Sequence, residues 1–508
     1  MSRHYLIVGA GSAGSVVTRR LLDAGHQVTL LEAGKADANP AIHDMSRMGE
    51  LWHSEDDWSY YTVPQSQAAN RALHWPRGKV QGGSHSLNAA IWVRGAHGDY
   101  DRWEREGATG WAWKDVLPYF KKIENTTIGD DTLRGRDGLL DVGVDSYERN
   151  PIFAALHEAA LQAGVPANSD YNGAEIEGIG FEQLNIRDGK RLSTFRAYTY
   201  PVLNHPNLEA HVEVWVNRLI IEDGKAVGVE ATVGDELKTF TADEVILSAG
   251  ALDTPRILML SGIGPREHLE EVGIEVILDA PGVGDNLHDH LLAPVIVHTD
   301  KKAFPAPQSG EPISQLHHFT TFRTGSDVPD TQPIYFSVPM LSDGMQAPPS
   351  TFTIHAGLVR PTSRGTVRLA SSSPTDPVLF DPQLLSTPED MASLVASVKQ
   401  CREIATQPAI RDEWGSRELY PGPEVQTDEE IENYIRNNCV TYHHQVGTCR
   451  MGTDEHAVVD PATLQLRGIE GVRVIDASVM PSVPSGNTNA PSVMIGERGA
   501  DFIIREEL

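Results

Sequence analysis

Gly9, Gly11 and Gly14 occupy a G-x-G-x-x-G spacing, and Glu32 closes the apolar run that follows, residues 28–31. Residues of these types at this spacing can hold a dinucleotide. Gly9 permits a tight turn, Gly11 lets the backbone approach a pyrophosphate, and Gly14 lets a helix pack close to a strand. A helix opening at Ser12 and Ala13 would turn its free N–H groups and positive dipole end toward the phosphates. Glu32, followed by Ala33, stands where a carboxylate accepts hydrogen bonds from an adenosine ribose. The elements that must position these groups surround them: an apolar strand over 5–8, a helical pattern after Gly14, and a second strand over 28–31. The glycine spacing alone is a weak signal. Strand, turn, helix, strand and acid in one short unit point to a dinucleotide site, without separating NAD from FAD.

The bulk properties bound what such a site can serve. At 508 residues the chain predicts two large domains. A net charge of −28, from 42 basic and 70 acidic residues, disfavours nucleic acid and anionic membrane surfaces as partners. Cys401, Cys439 and Cys449 are too few for a disulfide framework and lack zinc spacing, so reduced thiols and no metal are expected. No apolar run is long enough to span a bilayer, and the first strand begins too early to leave room for a signal peptide. These features predict a cytoplasmic protein, monomeric or homodimeric.

Along the chain, residues 37–72 are polar, carry Trp52 and Trp58, and read as a long loop excursion. Residues 107–122 predict a short helix with flanking turns, and 152–163 an amphipathic helix. Strand, turn and strand are expected over 208–229 around Glu222-Asp-Gly-Lys, with a buried strand over 243–250 and a helix from Thr254. Residues 294–380 alternate apolar and polar and are rich in Pro and Gly, which predicts a mostly antiparallel sheet. Residues 388–405 and 428–437 look helical. The segment from His444 returns to nucleotide-domain texture, with a strand over 472–476. The expected fold class is therefore α/β: a Rossmann-like dinucleotide-binding domain assembled from both chain ends, with an inserted α+β substrate domain built on an antiparallel sheet. The expected division is 1–35, 73–150, 185–293 and 438–508 for the first, and 36–72, 151–184 and 294–437 for the second.

Several blocks align in order with one family. Trp75-Pro-Arg77-Gly-Lys-Val80-Gln-Gly82-Gly83-Ser-His85-Ser-Leu87-Asn88, continuing through Ala89-Ala90-Ile91-Trp92, resembles the flavin loop of the glucose-methanol-choline (GMC) oxidoreductases. The run Gly250-Ala-Leu-Asp-Thr254-Pro255 through Gly264 is similar to the family's second signature. Tyr442-His443-His444-Gln-Val-Gly447-Thr448 and Ser485-Gly486-Asn487-Thr488-Asn489-Ala-Pro491 resemble its catalytic blocks. The resemblance covers nearly the whole chain and implies FAD rather than NAD. Family members with covalent flavin carry a histidine immediately before the loop's asparagine. Leu87 stands there, which implies non-covalent FAD. His85 departs from a loop usually made of small residues, and is expected to be held by local hydrogen bonds.

The resemblance implies oxidation of a primary alcohol to an aldehyde by proton abstraction and hydride transfer to flavin N5. His444 matches the family's base, and imidazole suits the task because its ordinary pKa lies near neutrality. Asn487 matches a second position that donates a hydrogen bond to the substrate oxygen. A lone histidine is most often a satisfied core residue, and only the surrounding block singles out His444. Successive side chains diverge in an extended segment, so only one of His443 and His444 is expected to face the flavin, and His443 is kept as a candidate substrate contact. Asn489 reads as a helix cap, because Pro491 opens a helical run, and that helix's dipole would stabilise a reduced, anionic flavin. Implied FAD contacts are Gly9, Gly11, Ser12, Ala13, Gly14, Glu32, Ala33, Val80, Gly83, Asn88, Ala89, Ala90, Ile91, Asn487 and Thr488. Val216 is expected at the adenine, and Asp476 and Ala477 at the phosphates or ribityl chain. Candidate substrate contacts are Trp92, Tyr442 and His443. The substrate would be an aryl or furan methanol or a choline-like aminoalcohol, and the electron acceptor O2 or a quinone or dye. Alternatives are an NAD-dependent dehydrogenase, a GMC-fold lyase or decarboxylase, and a non-catalytic flavin-binding protein.

Overall fold

In the computed structural model, which describes residues 2–144 and 147–506, five strands form a wholly parallel sheet. Their spatial order is Leu208–His211, Gln27–Leu31, His4–Val8, Glu244–Leu247, Val472–Val474. Numbered along the chain this is 3-2-1-4-5, the doubly wound order. It places a crevice at the carboxyl ends of the first and fourth strands, where the winding reverses. Tyr5, Leu6, Ile7 and Val8 are all buried, as expected of a parallel strand covered on both faces. The last of the five strands comes from the C-terminal region, so the sheet is assembled from both ends of the chain.

Two helices seal this sheet. Ser12–Asp23 packs against Asn489–Glu506. Gly496 brings them close: a Cβ there would lie 2.9 Å from the Ala13 carbonyl oxygen. Arg20 donates to the fully buried Glu497 at 2.6 Å across the contact. The antiparallel meander Val214–Glu222, Lys225–Val233 and Glu236–Thr241 follows the expected turn, with Asp223 and Gly224 in the left-handed region. The helix expected from Thr254 begins four residues earlier, spanning Gly250–Leu260. Its start is capped from a distant segment: Asp476 Oδ2 accepts from the Gly250 N–H (2.9 Å) and the Thr254 hydroxyl (2.6 Å).

The second sheet is antiparallel throughout. Its order is Ser416–Tyr420, Leu291–Thr299, Thr351–Leu358, Ile334–Phe336, Ser314–Phe319, Gly178–Phe181, and Val440–Thr441 pairs with the start of Leu291–Thr299. Leu291–Thr299 is one continuous strand across the expected division at 293/294. Strand alternation gives this sheet two uses. Leu291, Ala293, Val295, Phe352, Ile354 and Ala356 join one core, against the helix Pro388–Ala405. The intervening Leu292 and His355, with Ile334 and Phe336, line a cavity on the other face. The excursion over residues 37–72 holds short helical turns, Pro40–His43, Met45–Glu50 and Ser66–Ala68, and a two-residue strand, Tyr60–Tyr61, paired with His74–Trp75. It brings Trp52, His53, Trp58 and Tyr61 to the same cavity.

Candidate active site

One cavity of about 720 Å³ runs from the carboxyl end of the parallel sheet to the inner face of the antiparallel one. At its first end, the strand His4–Val8 delivers the chain into Gly9, whose φ of 101° only glycine adopts readily, and where a Cβ would meet the Ser248 carbonyl oxygen at 2.4 Å. A Cβ on Gly83 would come within 2.9 Å of the Gly11 Cα, so these two backbones form a bare cradle. Glu32 accepts from the Ala10 N–H (2.9 Å) and the Gly34 N–H (2.8 Å), and burial pushes its carboxyl up to about 7. Trp215 Nε1 and Arg256 Nη1 are buried without a hydrogen-bond partner among the described residues and belong to residues lining this end, beside Val216. A bare glycine cradle, an engaged acid and unsatisfied donors suit an adenine dinucleotide.

Gly9, Gly11, Ser12, Ala13, Glu32, Ala33, Gly83, Asn88, Ala89, Ile91, Val216, Asp476, Ala477, Asn487 and Thr488 all line the cavity. Gly14, Val80 and Ala90 do not. Gly14 serves the helix–strand contact, where a Cβ would lie 2.0 Å from the Gly9 carbonyl oxygen. Val80 packs with Ile42, Leu51 and Leu87. Ala90 adopts a φ of 56° while its N–H donates to Asn88 Oδ1 at 2.9 Å. Asp476 lines the cavity with both oxygens engaged, in the helix cap above and with Ser478. Trp92 lies outside the lining. It is fully buried, and its indole N–H donates to Glu124 (2.6 Å) inside a buried Arg94–Glu124–Arg134 network.

At the other end stand His444 and Asn487. Asn487 Nδ2 donates to His444 Nε2 at 3.2 Å, and Asn487 Oδ1 accepts from Gln332 Nε2 at 3.1 Å. A ring nitrogen that accepts must hold a lone pair, so the His444 proton sits on Nδ1, 3.0 Å from His290 Nδ1. Burial, with His290, His443 and Arg77 nearby, holds the His444 pKa well below the usual imidazole range. The ring is also stacked on Tyr442, 4.7 Å between centroids. Behind it, Asp289 accepts from the His444 N–H (2.7 Å), the Gln445 amide (2.7 Å) and the Thr441 hydroxyl. Burial raises the Asp289 carboxyl to about 6. The sequence pattern does not single out Asp289, His290 or Gln332. The first two arrive through backbone register: Tyr442 N–H bonds His290 O (3.0 Å) and Val446 N–H bonds His288 O (3.2 Å), which lays residues 288–290 alongside 442–446.

Three local expectations are corrected. His443 and His444 do not diverge: the His443 backbone is left-handed, φ 66°, so both line the same cavity, with the His443 ring edge-on to Trp52. Asn489 is not a cap, because the Thr488 carbonyl accepts the first helical bond, from Ser492 N–H at 3.1 Å. The Asn489 amide accepts from the Ser12 hydroxyl (2.7 Å) and donates to His85 (3.2 Å). His85 is held by these distant groups and by Thr194 (2.8 Å), not by local ones, and burial lowers its pKa to about 3. Among the described residues, His53, Asp57 and His74 are grouped as a cation would need. Asp57 is already occupied, accepting from the backbone of His53, Ser59 and Arg77 and from His74.

Residues 3–292 match the N-terminal GMC oxidoreductase family model, and residues 361–496 the C-terminal one. The chain belongs to the GMC oxidoreductases. It is 39% identical over 530 residues to an alcohol dehydrogenase [acceptor] of Pseudomonas putida, covering 99% of this chain and 96% of that one. It is 40% identical over 534 residues to an oxygen-dependent choline dehydrogenase of Rhizobium rhizogenes, with the same coverage. Among solved structures, pyridoxine 4-oxidase from Mesorbium loti superposes with a TM-score of 0.93 at 33% identity, covering 98% of this chain and 99% of that one. As in other GMC oxidoreductases the cofactor is FAD, and the cradle at the parallel sheet fits it. Among the described residues no helix is long and apolar enough to cross a membrane.

Proposed function

We propose that this GMC oxidoreductase oxidises a primary alcohol to an aldehyde, with His444 taking the hydroxyl proton and Asn487 donating to the same oxygen. The observation that carries this reading is a shared cavity: the dinucleotide cradle opens directly onto the paired His444 Nε2 and Asn487 Nδ2. When bound, FAD supplies the two-electron oxidant. The chain supplies the rest. The amide N–H steadies developing negative charge on the carbinol oxygen, and the Nε2 lone pair receives its proton. Asp289 fixes the backbone that carries the ring. Thr488, Asn489 and Ser492, at the start of the helix Asn489–Glu506, border the cavity, which supports a role for that helix dipole in stabilising negative charge. Leu87 beside Asn88 supports non-covalent FAD.

The pocket wall favours a neutral aryl or furan methanol. Trp52, Tyr61, Phe336, Ile334 and Leu292 give it apolar and aromatic surface. His355 Nδ1, His443 Nδ1 and Tyr442 Oη are buried without partners among the described residues, and offer hydrogen bonds to a second polar substituent. The lining acids are placed elsewhere. Glu32 and Asp476 are committed at the dinucleotide end, Asp253 bonds Tyr60 and Arg256, and Asp343 is exposed. A quaternary ammonium beside His444 would therefore lack a buried counter-charge among the lining residues. Likeness to the choline dehydrogenase carries the second reading, a choline-like aminoalcohol.

An anaerobic panel of aryl, furan and amino alcohols, followed by admission of air, tests substrate and acceptor together. Aryl and furan methanols should bleach the flavin, and rapid recolouring in air would assign O2 rather than a quinone or dye. His444→Ala should bind FAD, remain yellow and lose about two to four orders of magnitude in turnover. Near wild-type turnover in that variant would remove the base assignment.

A further inference from the structure

Gln332 does not line the cavity, yet it is bonded to Asn487, which does. The Gln332 side chain is fully buried. Its Nε2 donates to Asn487 Oδ1 (3.1 Å) and lies 3.3 Å from His317 Nδ1, while its Oε1 has no partner among the described residues. An amide has one donating and one accepting end. With Oδ1 held by Gln332, Asn487 must turn Nδ2 to His444, and His444 must keep Nε2 unprotonated. His317, Gln332, Asn487, His444 and His290 thus form one hydrogen-bonded chain in which Gln332 Nε2 donates both ways, to His317 and to Asn487, and the bonds run on from Asn487 through His444 to His290. In the opposite direction every donor becomes an acceptor. Asn487 would then present Oδ1 to His444, the ring proton would move to Nε2, and no lone pair would remain for an alcohol proton.

We infer that Gln332 is a positioning residue that sets the His444 tautomer, holding the chain in the direction that leaves Nε2 free to accept a proton. The inference deepens the assignment of His444 as base and rests on it. The imidazoles bonded into the chain are neutral near neutrality; around them lie Arg77 beside His444, Arg102 beside His290, and Asp289, held at about 6 and accepting from the His444 backbone N–H. Burial lowers His317 and His290 to about 3, and holds His444 well below the usual range. Tyr171, edge-on to His317 at 4.3 Å, is held well above its ordinary value. Asp330, two residues from Gln332, spends its oxygens on the Phe322 N–H (2.6 Å), the Arg323 N–H (3.3 Å) and the Ser393 hydroxyl (2.6 Å). Asp289 titrates in wild type and variant alike and cancels in their ratio, so a carboxylic acid introduced at 332 would be the group that titrates in the variant alone.

The test is Gln332→Glu, nearly the same shape. As a carboxylate it can only accept, so it would draw Asn487 Nδ2 toward itself and leave Oδ1 facing His444. As a neutral acid it donates again and restores the original direction. In the FAD-loaded enzyme, kcat/KM relative to wild type at the same pH should fall about a hundredfold at pH 9, a magnitude typical of a lost general base. It should recover at least tenfold as the pH is lowered to 5.5. Gln332→Met removes the donor without a charge and should give a pH-independent loss of about tenfold. A fractional loss in Gln332→Glu that is the same at every pH, or activity within threefold of wild type throughout, overturns the inference. If Gln332→Glu does not take up flavin, Gln332→Met decides, and wild-type turnover in it overturns the inference. Retained turnover in His444→Ala would instead overturn the base assignment itself, so the two failures are distinguishable.

Discussion

His444 has a neutral ring because it is buried, with His290, His443 and Arg77 close by. Its pKa is depressed, so the unprotonated form persists as the pH falls through the range where an ordinary imidazole titrates. kcat/KM for a neutral alcohol should therefore stay level from about pH 8 down to about pH 6, and a pH profile with a midpoint near 6.5 on its acid side would contradict this. Asp289 offers a second check at the same scale. Asp289→Ala frees the His444 N–H, the Gln445 amide and the Thr441 hydroxyl at once. It should cost at least tenfold in turnover while FAD content, measured by absorbance, is unchanged, because misplacing a base is expensive even when the base remains. The sequence makes His444 and Asn487 legible because both stand in blocks whose order can be matched. Asp289, His290 and Gln332 are not legible there. They reach His444 through strand register and a buried amide, and neither leaves a mark in local residue spacing.

Among the elements, the first βαβ unit is the most legible, because tight backbone contacts demand glycine at fixed positions and apolar runs mark its strands. Gly14 is such a contact: an added methyl would lie 2.0 Å from the Gly9 carbonyl oxygen and 3.2 Å from Ser248 Cβ. Gly14→Ala must push the helix Ser12–Asp23 away from its strand. It should destabilise the protein by about 1–3 kcal/mol and weaken FAD retention, readable as a lower thermal midpoint and flavin lost on dilution. Full flavin occupancy and an unchanged midpoint would show the contact to be slack. Elements are less legible where a distant group sets their ends. The helix Gly250–Leu260 starts before its apolar pattern because Asp476 caps it from across the sheet. The left-handed turn at His443, which brings two adjacent imidazoles to one cavity, likewise has no local signature.

At the scale of the whole molecule, buried neutral histidines and buried neutral acids pull stability in opposite directions with pH. Burial lowers His85, His290, His317 and His355 to about 3 and His318 to about 4. Each takes a proton in the unfolded chain below about 6.5 but not in the native one, so each contributes stability that is lost as the pH falls from there toward 4. Glu182, Glu32 and Asp289 do the reverse. Burial raises them to about 8, 7 and 6, so the native state keeps protons that the unfolded chain has released, and stability falls as the pH rises through those values. Below about pH 6 the histidines outnumber the acids, and the net slope is positive. Above about pH 7 chiefly Glu182 still titrates, and the slope turns gently negative. The thermal midpoint of the FAD-loaded protein should therefore peak near neutrality and fall more steeply toward pH 4.5 than toward pH 9. Glu182 has one oxygen on the Ser314 hydroxyl (2.6 Å) and the other without a partner among the described residues. Glu182→Gln should keep the acid side of the curve and flatten the alkaline side. A midpoint that declined steadily from pH 5 to pH 8, or an alkaline limb unchanged in Glu182→Gln, would mean that water reaches these groups in the native protein.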